Sequence, residues 1–111
     1  MSQVRASHIL VKHSGSRRPS SWKEQVVTRN REEAIQILEG IQRRLANGED
    51  FAQIASVESH CSSAKRGGDL GTFGPGQMMR PFEEATYSLN VGEISGIVET
   101  DSGVHLIMRT A

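Results

Sequence analysis

The sequence predicts an α+β domain of four strands and three helices, and three observations carry that reading. The two ends, Val4–Val11 and Val104–Arg109, alternate apolar and polar residues with the period of two that marks a β-strand. Between them, Ala34, Leu38, Ile41 and Leu45 recur at helical spacing. The stretch His60–Phe82 holds the only cysteine, Cys61, five of the eleven glycines and two of the three prolines. Gly and Pro in that density interrupt long helices and strands alike, which leaves a shaped loop with short elements.

Along Val4–Val11, strand alternation puts Val4, Ala6, His8, Leu10 and then Lys12 on one face, and Arg5, Ser7, Ile9 and Val11 on the other. Ile9 and Val11 are expected to face the core, leaving His8 and Lys12 together on the opposite side. Residues 13–31 have no period and many Ser and Arg, so they read as a long loop. Loops beyond about 12–15 residues inside a compact domain are usually functional or disordered. Pro19 stiffens this one, and Trp22 is expected to pin it.

The helix at 31–47 has Asn30 as its cap, Glu33 three residues on, and Asn47-Gly48 at its end. Ile35 and Ile37 are expected to widen its apolar stripe. A second helix runs from Phe51 to about Glu58, capped by Asp50, with Phe51, Ile54 and Ala55 inward. Asp69–Phe73 reads as a short strand. Pro81 opens a third helix to about Leu89, with Phe82, Ala85 and Leu89 facing the core. Two strands close the chain, at about 96–99 and at Val104–Arg109, joined by a turn at Thr100–Gly103. Val104, Leu106 and Met108 are expected inward, which turns His105 to the other face.

A length of 111 residues with 36% hydrophobic content is enough for one domain and one core. No apolar run approaches the roughly 20 residues of a membrane span, so no membrane segment is expected. The N-terminus lacks a cleavable signal layout, and a lone cysteine makes no internal disulfide. Both point to a reducing compartment, cytoplasm and nucleus. The net charge of zero is unevenly spread: residues 1–31 carry seven Lys/Arg against Glu24 alone, a net +6, and the remainder carries −6. The basic end is therefore expected to attract anions. Arg17 and Arg18, with Lys12 nearby, suit a dianion such as phosphate, which a guanidinium grips by two charge-assisted bonds.

If the first and last strands pair centrally, His8 and His105 become neighbours on the face away from the helices, and Cys61 reaches them from its loop. Ser102 and Thr100 lie just before the last strand. A cysteine with two histidines leaves three readings open. A cysteine hydrolase needs an oxyanion hole and a thiolate-forming pair, and nothing local marks either. A metal site needs a spacing such as CxxC or HxxxH, which does not occur. The third reading is a hydrogen-bonded polar cluster lining a binding pocket.

Three stretches carry a resemblance that covers nearly the whole chain: SHILVKHSGSRRPSSW, SHCSSAKRGGDLGTFGPGQMMRPFEEATYSL and VGEISGIVETDSGVHLIMRT. Together they resemble the parvulin family of peptidyl-prolyl cis/trans isomerases, in its branch directed to phosphorylated Ser/Thr-Pro. The resemblance implies the parvulin (FKBP-like) fold, a four-stranded, mainly antiparallel twisted sheet with about three helices. It implies one isomerase domain over 1–111 with a phosphate-binding loop at about 13–30. The chain starts without the WW module of two-domain relatives, so their separate targeting function is expected to be absent, and a monomer is expected.

By the same resemblance, His8 and His105 match the family's paired histidines. Cys61 and Ser102 match the polar groups beside the substrate amide, with Thr100 in their network. Leu70, Met78 and Phe82 match the pocket for the proline ring, with Gln77 at its rim, and Lys12, Arg17 and Arg18 match the phosphate clamp. Lys65 and Arg66 are left as solvated surface. His60 departs from the pattern: relatives often carry an acid there, SDCSS rather than SHCSS. The implied reaction needs no cofactor and no metal. It twists the X–Pro amide non-covalently in a dry pocket, and its partners are proteins bearing phosphoSer/Thr-Pro, with no nucleic acid or membrane expected. The alternative is a phosphoSer/Thr-Pro binding module whose isomerase activity is incidental.

Overall fold

A computed structural model describes residues 3–111. In chain order the elements are β1 (Val4–Val11), α1 (Arg31–Ala46), α2 (Phe51–Glu58), a 3₁₀ turn (Ser62–Arg66), β2 (Asp69–Phe73), α3 (Arg80–Ser88), β3 (Val98–Thr100) and β4 (Gly103–Arg109). The four strands form one sheet in the order β2-β1-β4-β3, and every neighbouring pair is antiparallel. The first and last strands therefore pair at its centre. Among the described residues no helix is long and apolar enough to cross a membrane.

Local chemistry explains the helices. Asn30 Oδ1 accepts the Glu33 N–H at 2.8 Å, and Glu33 Oε1 accepts the Asn30 N–H at 2.9 Å, a complete capping box that satisfies two otherwise orphaned donors. Asp50 caps α2 through the Gln53 N–H at 3.0 Å. Arg80 is the first residue of α3, so Pro81 sits one position later than expected, still in the first turn where its missing N–H costs nothing.

Both faces of the sheet are covered, which divides the expected single core into two clusters. On one face Ile9, Val11, Val104 and Leu106 pack against Ala34, Leu38 and Ile41 of α1 and Phe51, Ile54 and Ala55 of α2. On the other, Val4, Ala6 and Ile107 pack with Phe73 of β2 and Phe82 of α3. The histidine face is thus away from α1 and α2 but not from α3. Each fully buried Leu or Ile contributes about 1.5–3 kcal/mol, and these two clusters hold β1 and β4 in place from both sides. Ile37 departs from its expected role: it is exposed, because it precedes Leu38 by about 100° of helical rotation, while Ile35 packs at the core edge.

The third strand is shorter and later than expected. Before it, Ser95 Oγ takes the Ile107 N–H at 3.0 Å, a position that a ladder carbonyl would otherwise fill. Gly68 fixes where β1 meets the central loop. Its carbonyl accepts the His8 N–H at 3.0 Å, its φ is +87°, and a Cβ there would lie 2.4 Å from the His8 carbonyl oxygen. Gly71 has a similar φ of +77° but open space around it. Gly71→Ala is expected to lower the unfolding free energy by about 1–3 kcal/mol through backbone strain alone. Gly68→Ala, which adds a backbone clash, is expected to cost clearly more. Urea unfolding of both variants checks this, and equal losses would refute the close approach.

Candidate active site

The site is built at the centre of the sheet. In the β1–β4 ladder Leu10 stands opposite His105 and His8 opposite Ile107, so the two histidines are diagonal neighbours on one face. Their rings stack with centroids 5.2 Å apart and 22° between planes, and the Nδ1 atoms are 3.0 Å apart. Phe82 presents an edge-on contact to both rings, at 5.5 Å and 5.3 Å. His105 Nε2 lies 2.7 Å from Thr100 Oγ1, which also accepts the Ser102 N–H at 3.1 Å.

This chain of bonds limits the charge state. Only one of the facing Nδ1 atoms can carry a proton, so one ring donates and the other accepts. Two imidazolium ions would set N–H against N–H in a buried place. Burial pushes the His8 pKa down to about 4. Burial, and then the neighbouring His8, pushes His105 down to about 3. Both rings are neutral at physiological pH.

Cys61 arrives from the loop after α2. That segment is fastened along the end of β1: His60 N–H donates to the Leu10 carbonyl at 2.8 Å, and Ser59 Oγ accepts the Leu10 N–H at 3.0 Å. Cys61 is half-buried and caps the 3₁₀ turn, its Sγ accepting the Ser63 N–H at 3.4 Å. It borders a cavity of about 490 Å³ whose wall includes Lys12, Arg18, Trp22, His60 and Ser102. A second cavity of about 240 Å³ is lined by Lys12, Arg17, Arg18 and Ser102. The two cavities share Lys12, Arg18 and Ser102, so the three basic residues meet the polar residues at one mouth.

The basic residues are differently held. Lys12 Nζ donates to the Ser20 carbonyl at 2.6 Å. Its pKa is lowered, first by burial and then by the Arg18 charge. Arg17 lies 3.5 Å from the Asp101 carboxylate with both side chains largely in solvent. Such a pair is worth little and is readily exchanged for another anion.

On the other side of the histidines lies an apolar group. Leu70 of β2 and Met78 of the loop before α3 are half-buried, and they pack with Phe73 and the buried Phe82. Gln77 is exposed. Its Oε1 accepts the Gly74 N–H at 2.5 Å, so its side chain braces the loop. Lys65 and Arg66 are exposed, as expected.

Comparison with known proteins decides the family. Residues 8–111 match the rotamase family described as the PPIC-type PPIase domain. The chain belongs to the parvulin, or PPIC-type, family of peptidyl-prolyl cis/trans isomerases. It is 58% identical to a peptidyl-prolyl cis-trans isomerase Pin1 of Arabidopsis thaliana, over 98% of this chain and 96% of that one. It is 54% identical to the pin1 isomerase of Schizosaccharomyces pombe, over 98% of this chain and 63% of that one. Among solved structures, the isomerase ESS1 from Candida albicans matches 98% of this chain and 63% of its own, with a TM-score of 0.94 and 51% identity. The protein is a peptidyl-prolyl cis/trans isomerase of parvulin fold. It lowers the roughly 18–20 kcal/mol barrier to rotation about an X–Pro bond.

The structure of this parvulin also gives Trp22 and His60 contacts that the pattern of the sequence did not specify. Trp22 is half-exposed, so it pins the basic loop by hydrogen bonding more than by burial: its Nε1–H donates to the carbonyls of Ser59 at 2.9 Å and Cys61 at 3.1 Å. His60 is buried between the basic loop and β1. Its pKa falls to about 4, mainly by burial and then by the Arg29 charge, against an upward pull from Glu24. Glu24 itself was the available signal, as the single acid in a segment of net +6.

Three buried histidines that resist protonation give the isomerase a defined pH response. Their folded pKa values lie below the unfolded value of about 6.5, so the unfolded chain binds protons that the folded chain refuses. Stability is full above pH 6.5 and is lost as pH falls towards 4. Between pH 7 and pH 5, above the main carboxylate range, urea unfolding is expected to lose roughly 1–2 kcal/mol per buried histidine. NMR should show His8 and His105 unprotonated at pH 5; ring protonation near pH 6.5 would contradict the buried neutral pair.

Proposed function

We propose that this isomerase prefers phosphoSer-Pro and phosphoThr-Pro bonds, and that Lys12, Arg17 and Arg18 hold the phosphate while Leu70, Met78 and Phe82 hold the proline ring. The observation that carries this is the placement of the basic trio. Lys12, Arg17 and Arg18 line a cavity with Ser102, and Lys12 and Arg18 also line the cavity that Cys61 borders. A phosphate there sits one residue from the rotating bond, and it carries close to two negative charges at pH 7. Proteins bearing such motifs are the partners this reading assigns.

The chemistry is rotation without bond cleavage. The twisted amide loses resonance and has less charge separation than either planar isomer, so a water-poor apolar pocket favours it. Fixing the proline ring at one end and the phosphate at the other leaves rotation of the intervening carbonyl as the remaining freedom. A rate gain of about 10⁵ requires roughly 7 kcal/mol of differential stabilisation. In this reading Cys61 and Ser102, which line one cavity, meet the rotating carbonyl as hydrogen-bonding groups, and Gln77 borders the proline end.

Hydrogen bonding favours a non-covalent role for Cys61. His8 Nδ1 and both nitrogens of His105 are engaged within the histidine–threonine chain. His8 Nε2 is buried without a hydrogen-bond partner among the described residues. A thiol activated for attack needs a base in hydrogen-bond reach. The histidines instead act as a rigid neutral support behind Phe82.

Replacing Arg17 and Arg18 together by Ala is expected to reduce kcat/KM for a phosphoSer-Pro peptide about 10²-fold or more, since each charge-assisted bond is worth about 1.5–3 kcal/mol. An Ala-Pro peptide should lose less than about threefold. Equal losses on both peptides would sink the clamp. For the thiol, Cys61→Ser should retain measurable isomerisation and Cys61→Ala should lose more; an inactive, folded Ser variant would favour covalent catalysis.

A further inference from the structure

Three hydrogen bonds and one close polar approach form a ring around the peptide unit of Lys12. The Lys12 N–H donates to His60 Nδ1 at 2.9 Å. His60 Nε2 lies 3.2 Å from Glu24 Oε1. The same oxygen accepts from Arg29 Nη2 at 2.6 Å, and Arg29 Nη1 donates to the Lys12 carbonyl at 2.9 Å. The amide and carbonyl of one residue are thus held by two side chains that converge on a single carboxylate oxygen.

The proton positions follow from the donors. A backbone N–H can only donate, so His60 Nδ1 is the acceptor and Nε2 carries the proton towards Glu24. His60 is therefore required in its neutral form. A proton on Nδ1 would confront the Lys12 amide. Burial of His60, which disfavours its charged form, is consistent with this. Glu24 is the only acid in the basic segment, and its charge is used inward, on Arg29 and His60. The basic residues at the cavity mouth remain available to an anion.

We propose that His60, Glu24 and Arg29 are positioning residues that hold Lys12 at the phosphate site, and so set how strongly this isomerase discriminates a dianion before proline. This rests on the clamp assignment above. Lys12 follows the last residue of β1, where the chain turns away into the basic loop, and among the described residues no ladder partner fixes it there. The ring supplies the missing constraint. It also ties the loop that carries Arg17 and Arg18 to the segment that carries Cys61, which Trp22 fastens a second time. None of the three residues needs to touch substrate.

The test compares Glu24→Ala, Glu24→Gln and His60→Phe on phosphoSer-Pro and Ala-Pro peptides, with amide hydrogen exchange at Lys12 as a structural readout. Glu24→Ala is expected to raise KM for the phosphopeptide about tenfold with kcat nearly retained, since a displaced contact group commonly costs one to two orders of magnitude. It should leave kcat/KM on Ala-Pro within about twofold and speed exchange of the Lys12 amide. Glu24→Gln keeps an oxygen acceptor at the same place and should recover part of the loss. If His60→Phe does not fold, Glu24, whose side chain is one-third exposed, still decides. Equal losses on both peptides would overturn the proposal. So would an unchanged phosphopeptide KM beside a freed Lys12 amide, which would leave the clamp itself standing. A wild-type enzyme without preference for phosphoSer-Pro would overturn the clamp, and the proposal with it.

Discussion

The antiparallel pairing of β1 with β4 is the constraint on which the rest depends. One register, Leu10 opposite His105, sets His8 and His105 face to face on the same side of the sheet. It also brings the end of β1, where Lys12 begins the basic loop, beside the turn that precedes β4 and carries Ser102. A slip of one residue would turn every side chain of the strand to the opposite face. The apolar residues of both faces forbid that slip: Ile9 and Val11 belong to the cluster under α1 and α2, and Val4 and Ala6 to the one under Phe82. The packing that stabilises the domain thereby specifies the site.

The neutral histidine pair marks the boundary between two environments. Towards Phe82, Leu70 and Met78 the surroundings are apolar, and towards Cys61, Ser102 and Lys12 they are polar and increasingly cationic. In the proposed reading, the apolar side takes the proline ring and the twisting amide, and the cationic side anchors the residue before it. Charged histidines would carry water and counter-charge into the dry side. Their burial and their mutual hydrogen bond prevent it. The proposed ring of His60, Glu24 and Arg29 does on the outer side what the histidine pair does at the centre, holding a functional group by bonds that substrate does not share.

Much of this was legible in the sequence because it depends on short-range rules. The helix caps, the period of α1 and the strand parity that pairs His8 with His105 need only local spacing and one assumption about which strands meet. Ile37 shows where the periodicity argument overreaches, since a helix edge position can be apolar and still face water. Residues 13–30 mark the other limit. A loop without period gives no hint of its path, and Trp22, Glu24 and Arg29 take their partners from residues 59–61 and Lys12 through long-range contacts that no spacing encodes. His60 was visible only as a departure from the family pattern, and its role needed the geometry on both sides of the imidazole.

In the proposed mechanism a cationic anchor one residue before the proline works together with the apolar pocket. Its most direct test is kcat/KM of the wild-type protein on three peptides that differ only before proline: phosphoSer, Glu and Ala. PhosphoSer-Pro is expected to be fastest, by about 10²-fold or more over Ala-Pro, with Glu-Pro between them because a single charge engages the clamp less fully. Equal turnover of all three would contradict it.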